Sequence, residues 1–167
     1  MKTISRPQAE KSMRQQLLDL LNGKNAHMSF DMVIADMDTG AINSKMPHFN
    51  YSIWHLLEHM RRAQKDILEF IKNADYETPP YSEFWPGQDE TADAQQWLES
   101  TARFRDGLDE ALALVQDPET NFFGPIPHAP DYTIFREILL IADHNAYHLG
   151  ELMTMRQVLN ILPPEKW

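Results

Sequence analysis

DHNAYHLGEL, residues Asp143 to Leu152, sets His144 and His148 one helical turn apart. Residues i and i+4 of an α-helix lie about 40° apart around the axis and about 6 Å along it, so two imidazoles at this spacing can converge on one ion. The same spacing arises often by chance on helices. A site with three protein ligands and open coordination positions needs a further donor, which must come from elsewhere in the chain.

The helix around this stretch reads from about Tyr132 to Asn160 and departs from ordinary amphipathicity. Phe135, Ile138, Leu139, Ala142, Ala146, Leu149 and Met153 define one apolar face, while Leu140, Ile141, His144, His148 and Met155 line much of the other. A helix apolar on two sides is buried on two sides. Packing in its own bundle on one side and against a second subunit on the other predicts a homodimer with isologous contacts; the competing account is that long connections cover the second face within one chain.

The rest of the chain reads as helices separated by proline-marked connections, with no strand pattern. A first helix spans about Pro7 to Asn22, stopped by Gly23. The stretch Lys24 to Phe49 holds a short helix within a long connection. Helix two is capped at Asn50 or Ser52 and runs to Asn73, its Ile53, Leu56, Leu57, Met60, Ile67, Leu68 and Ile71 recurring every three or four residues. On this wheel His59 lies roughly 90° from the mean apolar direction, a boundary position, and His55 roughly 130°, an outer one. The connection ADYETPPYSEFWPGQD, Ala74 to Asp89, is too long for a tight turn and suits a crossover; its Tyr81, Phe84 and Trp85 can roof a cavity or simply cover the bundle end. Helix three starts near Thr91 and stops before Pro118, and the proline-rich segment 118–130 leads to helix four.

Composition bounds the function. The 167 residues suit one domain, residues 1–167, with a proper core. A net charge of −10 with no run of Lys and Arg argues against a nucleic-acid partner. The chain has no cysteine, which removes disulfides, thiolate ligands and a cysteine nucleophile and leaves histidine and carboxylate as ligand chemistry. Any thiol must arrive from outside. No apolar run has signal-peptide or membrane-spanning length, so no membrane partner and a soluble, cytoplasmic protein are expected.

The combination of YSIWHLLEHM, a long aromatic-containing connection and ADHNAYHLGEL resembles the DinB-like (YfiT-like) family of metal-binding four-helix bundles, over nearly the whole chain. The resemblance implies an all-α, up-down-down-up four-helix bundle with a long crossover between helices two and three, commonly dimeric. It implies one histidine from helix two and the H-x-x-x-H pair as ligands of a divalent metal. These match His59, which is followed by the apolar Met60, with His144 and His148; Gly150 extends the match. Neutral imidazoles suit zinc, nickel or iron without choosing among them. Some family members are thiol-dependent transferases or isomerases. The expected function is therefore a metal-dependent enzyme of transferase or hydrolase type, acting on a small electrophilic substrate with a low-molecular-weight thiol as partner. The alternative is a non-catalytic metal- or small-molecule-binding protein connected with stress.

His55 is a further candidate ligand one turn before His59, although a fourth imidazole would close the site. His27, His48 and His128 lie in loop-like sequence and are expected to be solvated. Glu58, Asp143 and Glu151 are candidates to orient ligands or act as bases, Glu151 foremost. A di-iron carboxylate site is disfavoured because no Glu stands three residues before any histidine.

Overall fold

The computed structural model describes residues 5–164. The two ends of the expected domain, 1–4 and 165–167, lie outside the described residues. Helix α1 spans Arg6–Leu21 with Pro7 in its first turn, where a missing N–H costs nothing. The chain turns away just beyond the helix end, at Gly23, whose φ of +64° and whose approach to the Ser29 backbone leave no room for a side chain. The short helix α2, Phe30–Ile34, is the one expected in the long connection, capped by the Ser29 hydroxyl.

Helix α3, Ile53–Lys72, begins at the expected Ser52. The Ser52 hydroxyl accepts the His55 backbone N–H, and the His55 ring returns the bond to the Ser52 N–H, so a histidine completes the capping box. Helix α4, Ala94–Gln116, is closed in the same way by Asp93 and Gln96. Between α3 and α4 the connection forms a single 3-10 turn, Tyr81–Phe84, packed against α3.

Helix α5 runs Ile134–Val158, capped by Thr133. Tyr132, expected at its start, instead belongs to a strand: β1, Pro125–Ile126, pairs antiparallel with β2, Ala129–Thr133. This corrects the expectation of no strands. A two-residue strand flanked by prolines shows no alternating pattern, and the pairing depends on the fold bringing the two halves together.

Helix α3 packs on α4 and α5, and α1 packs on the same two helices. One apolar cluster gathers α2, the first half of α3 and the end of α5; the other gathers α1, the second half of α3, the end of α4 and the start of α5. Two residues assigned to the second apolar face of α5, Ile141 and Met155, are buried inside the chain, Met155 in the cluster that contains α2. Leu139, Leu140 and Tyr147 stay exposed. Arg156 is also buried, its guanidinium donating to the Val33, Ala35 and Ile161 carbonyls at 2.6–2.8 Å, which ties α5 to the end of α2. No helix among the described residues is long and apolar enough to cross a membrane.

Candidate metal centre

The packing of α3 against α5 brings His59, His144 and His148 together, with one ring nitrogen of each lying within 4.8 Å of the others. The His59 and His144 Nε2 atoms are 3.1 Å apart. Two nitrogens bound tetrahedrally at 2.0–2.1 Å would stand roughly 3.3 Å apart, so this pair is close to the separation a shared ion requires.

The tautomers are set by partners behind the rings. His59 Nδ1–H donates to the Phe84 carbonyl at 3.2 Å, leaving the Nε2 lone pair facing the cluster. His148 Nδ1 pairs with Glu151 Oε2 at 2.8 Å, which directs its Nε2 the same way. A carboxylate behind an imidazole raises its basicity and fixes its orientation, as in carboxylate–histidine–metal arrangements. The Tyr51 hydroxyl donates to the other Glu151 oxygen. Burial, then Glu151, raises the Tyr51 pKa, so the phenol keeps its proton. The Trp85 indole lies face to face on His59, with centroids 4.0 Å apart and planes 7° from parallel.

Burial, reinforced by the neighbouring His148 ring, lowers His59 to about 4 despite the opposing pull of the Phe84 carbonyl and Glu151. Burial followed by the other two rings lowers His144 to about 4 as well. Both are therefore neutral at pH 7, the charge state that a metal ligand needs. The donor set fits a divalent ion of borderline softness: three clustered imidazoles, of which His59 and His148 are oriented from behind by the Phe84 carbonyl and Glu151.

His55 stays apart. Its Nδ1 is engaged by Ser52 and its Nε2–H donates to the Gly87 carbonyl at 2.9 Å, so neither nitrogen is free. It is 2 % exposed, which corrects the expected outer position. The wheel counted only apolar residues of its own helix, whereas the connection packs over this face and gives the imidazole a backbone carbonyl. Glu58 also points elsewhere: although burial raises its pKa, bonds from Arg61 and Ser100 hold it below the usual range, and Arg62 joins the pair. His48 is exposed as expected. His128 is exposed but anchored to the Phe70 carbonyl at 2.7 Å, and His27 is half-buried, bonded to the Met28 carbonyl.

Sequence reasoning left Trp85 either to roof a cavity or to cover the bundle end and ranked Glu151 first among the carboxylates; both line the same cavity of about 590 Å³ as the three histidines. It missed Tyr51, the residue that opens YSIWHLLEHM, because its partner lies 100 positions away. It also missed the Phe84 carbonyl, for which no side-chain signal exists.

Fold and site meet in one family. A family model described as the DinB superfamily matches residues 24–152, a span that includes all three histidines, and the chain belongs to the DinB superfamily. Comparison with curated proteins and with solved structures finds no match.

Proposed function

We propose that the chain binds one divalent metal ion through His59, His144 and His148 and is a metal-dependent enzyme acting on a small electrophilic molecule, with a low-molecular-weight thiol as cosubstrate. The observation that carries this reading is the convergence of three imidazoles, two of them held neutral, on the floor of a cavity of ligand size. Bound there, a divalent ion acts as a Lewis acid that lowers the pKa of a thiol or water. Around it, Glu151 orients His148, the Phe84 carbonyl orients His59, and Trp85 excludes water from one side of the His59 ring. The thiol comes from outside because the chain has no cysteine.

The one-domain chain is read as an up-down-down-up four-helix bundle of α1, α3, α4 and α5, with the residues between α3 and α4 as the crossover. The exposed Leu139 and Leu140 on α5 support a homodimer, and a cytoplasmic location is part of the same proposal. Light scattering at micromolar concentration should then report about twice the 19.4 kDa of one chain.

Elemental analysis of untagged protein is the primary test, with about one ion per chain expected and zinc, nickel or iron distinguished directly. Turnover of an electrophile with added thiol separates the enzyme from the second reading, a non-catalytic metal- or small-molecule-binding protein. A protein that carries no metal and acquires none on titration would refute the metal-dependent enzyme and the metal-binding form of the second reading.

A further inference from the structure

The walls of the cavity differ from its floor. The imidazoles lie at the bottom, whereas Tyr81 and Tyr147, 78 % and 71 % exposed, stand at the rim with the exposed Asp143. Asp143 and Tyr147 are one turn apart on α5 and share a face of it. No Lys or Arg lines the cavity. The guanidinium packed behind its wall, Arg62, is turned away: Nη1 donates to the Glu83 and Trp85 carbonyls, and Nε pairs with Glu58. Among the described residues no cation pairs with Asp143. Sites that capture carboxylate or phosphate through side chains use Arg or Lys, and neither lines this cavity. Aromatic faces beside an uncompensated carboxylate recognise organic cations, and the net charge of −10 favours their approach.

We infer that the cavity takes a bifunctional small molecule: a lone-pair donor at its inner end reaches the ion that His59, His144 and His148 would hold, and an ammonium group is held at the rim by Asp143 and the ring of Tyr147. This rests on the metal-site reading above and adds the charge of the outer half of the substrate, which that reading leaves open. Donor and ammonium on one molecule match the two ends of the cavity, with the three-histidine cluster below and a carboxylate above. An anionic outer group would face Asp143 with no partner.

The test uses cobalt-loaded full-length protein and three thiols that share the inner group and differ at the outer one: cysteamine (ammonium), 2-mercaptoethanol (neutral) and 3-mercaptopropionate (carboxylate). Because the chain has no cysteine, a near-ultraviolet thiolate-to-cobalt band reports the added thiol alone. Each affinity is measured in wild type, Asp143→Asn and Tyr147→Leu, and comparison of wild type with variant cancels the thiols' own acidities. The preference for cysteamine over 3-mercaptopropionate should fall about threefold to fivefold in Asp143→Asn, the scale of one exposed charge pair. It should fall by a smaller factor in Tyr147→Leu, with the visible cobalt spectrum unchanged in both. A preference that is unchanged in both variants, or one for 3-mercaptopropionate in wild type, overturns this inference while leaving the metal site intact. Failure to take up cobalt overturns the metal reading itself, and this inference with it.

Discussion

Glu151→Gln separates a histidine cluster that binds metal from one that is merely packed. The carboxylate lies 2.8 Å from His148 Nδ1, and the His148 and Glu151 side chains are only 10 % and 18 % exposed. Glutamine keeps the shape and one acceptor oxygen but removes the charge that makes Nε2 a stronger donor. Loss of such a partner behind a ligand weakens metal binding about 10- to 100-fold, or about 1.4–2.7 kcal/mol. While the site remains saturated, the stability contributed by the metal falls by the same amount. For a domain of this size 1 kcal/mol moves Tm by about 2–4 °C, so the metal-induced rise in Tm should shrink by roughly 3–11 °C. The dissociation constant is read by competition with a chromophoric chelator, and Tm by calorimetry with metal and with chelator. His148→Ala is the control and should lose more than Glu151→Gln, because a ligand itself is gone. If Glu151→Gln binds metal within twofold of wild type, the orienting role is wrong; if His148→Ala does so as well, His148 is not a ligand.

Removing either of the other two imidazoles, in His59→Ala or His144→Ala, should abolish stoichiometric metal at micromolar concentration, as read by elemental analysis after gel filtration; full occupancy in both would place the ion elsewhere. A pH dependence follows from the depressed histidines. Their folded-state pKa of about 4 lies below the unfolded value near 6.5, so on acidification the unfolded chain takes up protons that the folded chain refuses. The stability of metal-free protein associated with these two groups is present above about pH 6.5 and is lost as pH falls toward 4. His144→Asn should flatten the decline. For the same reason, metal binding at pH 6 should release at most one proton per ion in buffer-dependent calorimetry, since His59 and His144 carry none to release; release approaching three would contradict their low pKa values. Arg156→Met should destabilise the fold by about 3–5 kcal/mol, because three backbone carbonyls lose a charged donor inside the protein. Urea denaturation checks this, and a change under 1 kcal/mol would show that the carbonyls find other partners.

Local signals carried much of the architecture. Ser52, Pro7 and Gly23 mark ends of helices by backbone chemistry that acts within a few residues, and the apolar spacing of α3 is a property of one helix turning at its own period. The pair His144 and His148 was legible for the same reason: i and i+4 share a face wherever the helix is placed. His59 was harder. Its wheel position put it at the boundary of the apolar stripe and His55 outside it, and the resemblance to a family agreed on His59 over His55.

What separates those two histidines is tertiary. Both lie on α3 one turn apart, yet the connection between α3 and α4 lays the Gly87 carbonyl on His55 and the Phe84 carbonyl on His59. The first bond, with Ser52 on the other nitrogen, occupies His55 completely; the second occupies one nitrogen of His59 and leaves the other facing α5. The Tyr51–Glu151 contact and the pairing of Pro125–Ile126 with Ala129–Thr133 are likewise decided by what the folded chain brings alongside. Spacing along one helix determines which side chains share a face. Which ring nitrogens keep a free lone pair depends on the donors and acceptors that distant backbone brings to them, and a buried polar atom takes whatever partner the packing supplies.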